Sequence, residues 1–515
     1  MRLILAAVVS AANLISATPN HSYDNDLTVR TKLGVIHGTF DSATPGVRQF
    51  LGIPYALPPV NDLRFAPPQR ARPFGELDAK EMPPSCMQYA SSIPSIATHE
   101  VLEFNLGGLN GTTGPISEDC LTLSIWAPRR ATQKQLPVLI FFYGGAFATG
   151  GVDVPYLIPA QWVQRTQSHI VVAFNHRDNI FGFPNAAGLP PHEQNVGLLD
   201  QRLAIEWVRD HIAAFGGDPA RIGLWGESSG GCAIAYYSYS YRDDPIANSI
   251  IMGSGNEFID VLTRDPGHQN FTFVASQVGC GGNLSPAAEL ACMRRVDAAA
   301  ITSFIHTYSD AGHTPLLTFS PVIDNRTIFE SYPPPSPPFN NNNNPPAPLP
   351  ALIGSNAQDG VPFLPYIPNA SGDIIIDPVL AEEMTMSFFF CPTYASAKTR
   401  VVAAAAHGGK APAAVYRYLY AGNFTNVSPK PWMGAYHGAE MPLVMGTHGL
   451  VRGESTELEV RTSEAMQDVW LSFVASGGQE MGVEGWRGDG GVVEFGGDGV
   501  PARVVDTAEL EARCG

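Results

Sequence analysis

Two stretches of the chain are apolar without interruption. Residues 136–143 (LPVLIFFY) end in Gly144-Gly145, and residues 169–174 (HIVVAF) end in Asn175-His176-Arg177. Short runs rich in β-branched and aromatic side chains suit strands covered on both faces, as parallel strands are. Between residues 195 and 215 the period changes. Leu199, Leu203, Trp207, Ile212 and Phe215 recur near one face of a helix, and Gly216-Gly217 stops it. Residues 221–225 (RIGLW) predict a short strand running straight into Gly226, and small residues from Gly230 onward open another helix. Strands and helices in this succession predict an α/β architecture, a parallel sheet with crossover helices. Further strands are predicted at residues 351–355 and 414–420, and the short alternation at 492–495 reads as part of a peripheral hairpin. Residues 333–350 (PPPSPPFNNNNNPPAPLP) carry too little apolar surface to order themselves and read as an exposed insertion.

Composition narrows the function classes. Of 515 residues, 44% are hydrophobic, enough for a large core, while only 15% are charged. The net charge of −17 disfavours a phosphate backbone or an anionic membrane surface as the main partner. At the start, Arg2, the apolar residues 3–15 and the small pair Ser16-Ala17 have the form of a secretory signal, residues 1–17. No later apolar run reaches the ~18 residues needed to span a bilayer. The sequence therefore predicts a secreted protein without a stable membrane anchor. Eight Asn-x-Ser/Thr sequons, at Asn20, Asn110, Asn270, Asn283, Asn325, Asn369, Asn423 and Asn426, fit that compartment. Seven cysteines in an oxidising compartment imply disulfides and at least one unpaired thiol. None has zinc-site spacing, and no metal or cofactor is implied.

The informative motif is Gly226-Glu227-Ser228-Ser229-Gly230. A Gly/Ser turn linking strand to helix would carry the same letters. Its position between an apolar strand and a small-residue helix start is the one a nucleophile elbow requires. Acyl transfer also needs donors for a developing oxyanion. The N–H of Ser229 and those of Gly144 and Gly145, just past a strand end, are the candidates. Ser228 then needs an acid and a base later in the chain, in that order. Asp359, in Gln358-Asp359-Gly360, follows the strand at 351–355, although Asp before Gly is also a common turn. Among His407, His437 and His448, only His437 sits in a loop just beyond a strand, so it is the preferred base. Glu440 is the next carboxylate to consider.

These segments together resemble the type B carboxylesterase/lipase family of the α/β-hydrolase superfamily. The resemblance runs from about Val29 to Cys514. It rests on residues 50–59 (FLGIPYALPP), 63–68 (LRFAPP), 117–126 (SEDCLTLSIW), 143–147 (YGGAF) and 195–218, on the elbow, on Asp359-Gly360 and on residues 437–440 (HGAE). It implies one α/β-hydrolase domain over residues 18–515, with a central, mostly parallel twisted sheet, helices on both faces and large loop insertions. It implies Ser228 as nucleophile, Asp359 as acid, His437 as base, and an oxyanion hole from Gly144, Gly145 and Ser229. Three positions depart from the common pattern: Tyr143 where many members have His, Ser229 where many have Ala, and Asp359 where many have Glu. Backbone donors survive the first two changes, and Asp keeps the charge in the third. The family also includes non-catalytic adhesion proteins that typically lack the nucleophile, which this chain retains. Two structural ion pairs are implied as well, Arg64 with Glu118 and Arg177 with Asp200.

The cysteines admit many three-bridge schemes by spacing alone. Cys86 with Cys120 and Cys280 with Cys292 bracket loops between structured segments, and the resemblance implies bridges at both. It also implies Cys391 with Cys514, leaving Cys232 free. The expected activity is hydrolysis of a small-molecule or lipid carboxylic ester. Cholinesterase-like members hold a quaternary ammonium on a Trp in the first disulfide loop, and residues 86–120 contain none. Ile93, Ile96, Val101, Leu102, Phe104 and Leu106 in that loop suit an apolar lipase lid, beside a polar half at 107–114. A general carboxylesterase is the preferred reading and a triacylglycerol lipase the alternative.

Overall fold

Apolar runs become strands here because both of their faces are covered. The computed structural model describes residues 26–101, 114–130, 135–332, 345–406, 414–450, 452–483 and 491–514. The signal segment, residues 333–344 of the insertion, Leu102, Phe104, Leu106, residues 107–113, His407, Asn20 and Asn110 lie outside the described residues. Among those described, an 11-stranded sheet organises the molecule. Its strands are β1 (Thr39–Asp41), β2 (Thr44–Pro54), β3 (Thr122–Pro128), β4 (Leu136–Phe142), β5 (Ile170–Phe174), β6 (Gly217–Glu227), β7 (Ser249–Gly253), β8 (Ala351–Asn356), β9 (Val415–Tyr420), β10 (Val492–Phe495) and β11 (Ala502–Val505). The spatial order is β1-β2-β3-β5-β4-β6-β7-β8-β9-β10-β11. Every pair from β5 across to β10 is parallel, and antiparallel pairs close both edges.

The period of two sorts the strand side chains onto two cores. Val138, Ile140 and Phe142 of β4 join Leu203, Trp207, Ala233 and Ala397 on one face. Those partners come from helices α1 (Val196–His211), α2 (Ser229–Ser240) and α3 (Cys391–Ala406). Leu139 and Phe141 join Met466, Trp470 and Phe473 of helix α4 (Glu457–Ala475) on the other. The α/β-hydrolase fold expected from the sequence is therefore the observed one. The helix predicted at 195–215 is α1 followed by a 3₁₀ turn over Ile212–Phe215, ended by Gly216 at φ 99°. Only the order β5-β4-β6 breaks the sequential progression. The chain returns from β4 to β5 on one side and then crosses to β6 on the other. In open parallel sheets, ligands bind beyond the carboxyl ends of strands at such a reversal. Here those ends are Gly144-Gly145 and Ser228.

Two expectations are refined by the structure. Residues 492–495 form a hairpin at the edge of the sheet, β10 pairing antiparallel with β11, but the hairpin belongs to the central sheet. β10 pairs parallel with β9, and Phe495 packs on Trp470 with ring centroids 6.0 Å apart, so β10 extends the central sheet. The insertion also ends earlier than its composition implies. Pro345, Pro346 and Ala347 are buried, and the Ala347 N–H donates to the Ser238 carbonyl at 2.8 Å, feeding the chain into β8. Proline has little conformational entropy to lose, so a Pro-rich stretch is ordered at modest cost.

Both implied ion pairs form. Arg64 grips Glu118 through two contacts of 2.6 Å, and Arg177 binds fully buried Asp200 at 2.7 and 2.8 Å. Disulfides join Cys86 to Cys120, Cys280 to Cys292 and Cys391 to Cys514, with Cys232 free and buried. The bridges close loops of very different length. Chain entropy assigns about 5 kcal/mol to the 123-position loop of Cys391–Cys514 and about 3 kcal/mol to the 12-position loop of Cys280–Cys292. Serine replacement of the first pair is therefore expected to lower the denaturant midpoint more than replacement of the second. The reverse order in denaturant titrations would show that chain entropy does not govern these bridges.

Candidate active site

β6 runs into α2 with a single residue between them, and that residue is Ser228. Its backbone sits at φ 55° and ψ −128°, a region that costs a non-glycine residue on the order of 1–3 kcal/mol. Glycine neighbours make the turn possible. A Cβ on Gly226 would lie 2.5 Å from the Gly230 carbonyl carbon, and one on Gly230 would lie 2.1 Å from the Phe142 oxygen. The Ser228 N–H donates to Gly253 O at 2.8 Å, and its carbonyl accepts from Cys232 N at 3.0 Å. The turn is therefore held from β7 on one side and from α2 on the other.

Asp359 lies three residues beyond β8, and His437 lies in the loop beyond β9. The two loops are joined directly. The Gln358 N–H donates to Ala435 O at 3.0 Å, and Ala435 N–H donates to Gln358 Oε1 at 2.8 Å. His437 Nδ1 is 2.9 Å from Asp359 Oδ1, and Nε2 is 2.8 Å from Ser228 Oγ. A carboxylate can only accept, so Nδ1 carries the proton and Nε2 is left to accept from the serine hydroxyl. The other Asp359 oxygen, Oδ2, accepts from Ser254 Oγ at 2.8 Å and from Asn356 N at 2.7 Å. Phe363 and Phe389 cover the imidazole, at centroid distances of 5.1 and 4.7 Å.

Two more carboxylates converge on this imidazole. Glu227 Oε1 is 3.2 Å from His437 Nε2. Glu440 is buried behind it, with Oε2 accepting from Asn356 Nδ2 at 2.5 Å. Burial, reinforced by Asp359, pushes the Glu227 carboxyl up to about 7 against the pull of His437. Burial together with the Glu227 and Asp359 carboxylates pushes Glu440 up to about 8. Burial alone would lower His437. The surrounding carboxylates, Glu227 first, outweigh it and raise the imidazole to about 9. Glu227 escaped the sequence reading as a charge because it stood only as the variable letter of the elbow motif.

A cavity of ≈ 330 Å³ opens over Ser228 and His437. Tyr89, Ala97, Val101, Thr149 and Phe363 are among its lining residues. Of the three oxyanion donors expected from the sequence, Gly145 lines this cavity. Ser229 is the first residue of α2, directly after the nucleophile position. Gly144 packs behind Ser228, where an added Cβ would lie 2.6 Å from Glu227 Oε2 and 2.8 Å from Ser228 Cβ. Ala146, missed by the sequence reading, also lines the cavity. Gly145, Ala146 and Phe147 have φ of 118°, 57° and 58°, and only the glycine could have signalled such a turn. Neither Gly145 nor Ala146 donates its N–H to a backbone carbonyl among the described residues. His448 sits apart, bonded to Ser455 Oγ at 2.6 Å, and burial lowers it to about 4. Among the described residues, no group of three or more His, Cys, Asp or Glu could hold a metal ion.

Comparison with known proteins places these features in context. A sequence model described as the carboxylesterase family matches residues 25–377 and 376–488. The chain is 44% identical to the chlorogenic acid esterase of Aspergillus niger over 478 residues, covering 92% of this chain and 87% of that protein. It is 38% identical to secreted lipase 5 of Gibberella zeae over 511 residues, 94% of this chain and 91% of that one. Acetylcholinesterase of Electrophorus electricus is 26% identical over 533 residues, 90% and 82% of the two chains.

Cys232 lies one turn along α2 from Ser228, yet its environment opposes thiol chemistry. Burial pushes it up to about 12, and the nearby Glu257 and Glu227 carboxylates add to the shift. A thiol-reactive disulfide reagent is expected to leave the native protein unmodified and to titrate Cys232 only after denaturation. Rapid modification of the native chain, read by absorbance, would contradict that burial.

Proposed function

The chain belongs to the carboxylesterase family and is a carboxylic ester hydrolase, and on that footing we propose Ser228 as its nucleophile, His437 as general base and acid, and Asp359 as the acid that orients the imidazole. The observation that carries this reading is the unbroken relay from Ser228 Oγ through His437 to Asp359, at 2.8 and 2.9 Å. His437 Nε2 takes the hydroxyl proton as Oγ attacks the ester carbonyl. The tetrahedral oxyanion forms against the N–H groups of Gly145, Ala146 and Ser229, with Gly144 supplying the room behind Ser228. Nε2 then returns the proton to the departing alcohol, and a water activated by the same imidazole releases the acid from the acyl-enzyme. Asp359 keeps Nδ1 protonated and stabilises the imidazolium in a site where charges interact strongly.

For substrate, we propose a compact carboxylic ester, with chlorogenic acid as the first compound to test. The cavity volume of ≈ 330 Å³ is at the small end of small-molecule sites. Its Phe363 and Tyr89 side chains offer apolar, aromatic wall, and the resemblance to a chlorogenic acid esterase points the same way. Emulsified triacylglycerol is the second reading. It draws support from exposed Ile93 in the first disulfide loop and from the likeness to secreted lipase 5. Secretion is proposed with it, supported by three disulfides and that relative's name. Among the described residues, no helix is long and apolar enough to cross a membrane.

Ser228→Ala is expected to abolish both covalent labelling by a fluorophosphonate and hydrolysis of chlorogenic acid and 4-nitrophenyl esters. Ser229→Ala is expected to keep both, because a backbone donor survives the change. Labelling that follows Ser229 instead would move the nucleophile. Faster hydrolysis of a long-chain ester at an oil–water interface than of any dissolved ester would select the lipase reading.

The pH profile tests the carboxylate cluster. Ser228 needs a neutral imidazole, so kcat/KM falls as pH drops through the His437 pKa, which the carboxylates hold above the ordinary 6.5. Removing the charge 3.2 Å from Nε2 lowers that pKa. Glu227→Gln is therefore expected to move the acid limb of kcat/KM toward lower pH. An acid limb that stays in place or moves upward would remove Glu227 from the control of His437.

A further inference from the structure

The loop from Gly145 to Gly150 has an unfavourable conformation to maintain. Ala146 and Phe147 are non-glycine residues in the left-handed region, at φ 57° and 58°. Two buried amide side chains from distant parts of the chain are committed to it. Gln88 pairs with Gly150 as a neighbouring strand would: Nε2 donates to Gly150 O at 2.8 Å, and Gly150 N–H donates to Oε1 at 2.9 Å. Its second N–H donates to Cys86 O at 3.2 Å, next to the Cys86–Cys120 bridge. Asn179 closes the other side. Its Nδ2 donates to Met87 O at 2.8 Å and to Ala148 O at 3.2 Å, and its backbone N–H donates to Phe147 O at 2.7 Å. Beneath the loop, a Cβ on Gly150 would lie 2.4 Å from the Tyr143 ring, so the backbone rests directly on that ring. The Tyr143 hydroxyl is anchored between His176 and Asp178, 3.1 Å from the His176 carbonyl and 3.2 Å from Asp178 Oδ2.

We propose that Gln88, supported by Asn179, is a positioning residue for ester hydrolysis: it fixes the Gly145–Gly150 loop so that the Gly145 and Ala146 N–H groups face the oxygen of an ester held at Ser228. The proposal rests on reading those two N–H groups as oxyanion donors. Gln88 is 3% exposed and is not among the residues lining the cavity over Ser228, so it acts only through the loop. An apolar side chain at position 88 would leave the buried Gly150 N–H and carbonyl without their partner, and the loop would relax toward ordinary backbone angles. Ground-state binding would change little, because the tetrahedral oxyanion demands the donors far more than the planar ester does.

Two variants test this. Gln88→Leu is expected to lower kcat by roughly tenfold or more, with KM changed by no more than about twofold, and to weaken a trifluoromethyl ketone inhibitor by the same factor as kcat. Gln88→Glu adds a readout that mere loss of folded protein would not move. A protonated carboxyl can donate and accept as the amide does, whereas an ionised one faces Gly150 O with no proton to give. The ratio of variant to wild-type kcat is therefore expected to rise as pH falls, His437 titration cancelling in the ratio. Wild-type kcat in Gln88→Leu, a kcat loss without weaker ketone binding, or a ratio flat with pH would each overturn the proposal. Failure of the reading beneath it would look different: the wild-type enzyme itself would bind the ketone no more tightly than the matching ester.

Discussion

Ser228 holds its backbone at φ 55° only because β6 delivers it and α2 receives it within one residue. Much of the surrounding architecture follows from that constraint. Strand and helix can meet so abruptly only if Gly226 and Gly230 have no side chains, because each backs onto main-chain atoms. The close approach of Gly230 to Phe142 O draws α2 against the end of β4, which brings the Gly144-Gly145 corner beside the hydroxyl. The strain is carried by a buried, parallel, two-sided core in which every residue of β4 is inaccessible to solvent. A marginal core could not hold such a turn.

The fold was legible because its evidence is local. A run such as residues 136–143 declares itself within eight letters, and the elbow needs only its flanking strand and helix to be recognised. Residues 492–495 were legible as a hairpin arm but not as a strand of the central sheet, for the opposite reason. Four alternating residues look peripheral unless one knows that Trp470 and Tyr418, far away in sequence, will pack against them. The site divides in the same way. Ser228, Asp359 and His437 each stand at a strand end that the pattern predicts, and the structure brings them together although Ser228 and His437 are 209 positions apart. Glu227, Ala146 and Gln88 had no such address, and Glu440 stood only as the alternative to Asp359. The convergence of the two glutamates depends on the approach of β6 to the loop after β9. The importance of Ala146 lies in a left-handed dihedral that alanine does not advertise, and Gln88 is one polar letter in a loop that shows no period.

The site gathers more carboxyl groups than one imidazole can neutralise. Glu227, Asp359 and Glu440 are buried around His437, and burial drives the Glu227 and Glu440 carboxyls toward their neutral form. Asp359 differs from the other two in its partners. It accepts from His437, Ser254 and Asn356, whereas among the described residues Glu227 Oε1 and Glu440 Oε1 make no hydrogen bond, Glu227 Oε1 having only its 3.2 Å ionic contact with His437 Nε2. Hydrogen bonding therefore sets the Asp359 carboxyl, with both oxygens partnered, apart from the two nearby glutamates.

The Cys391–Cys514 bridge has a consequence that lies in connectivity. It closes a covalent ring of 123 positions, and His437 lies inside that ring while Ser228 and Asp359 lie outside it. A protease that cuts once within the ring opens it but releases nothing, because both ends remain tied through Cys391. The His437 imidazole is thereby tethered to Ser228 by two independent routes along the chain. Two cuts are required before it can be lost, and the enzyme can be nicked without being divided.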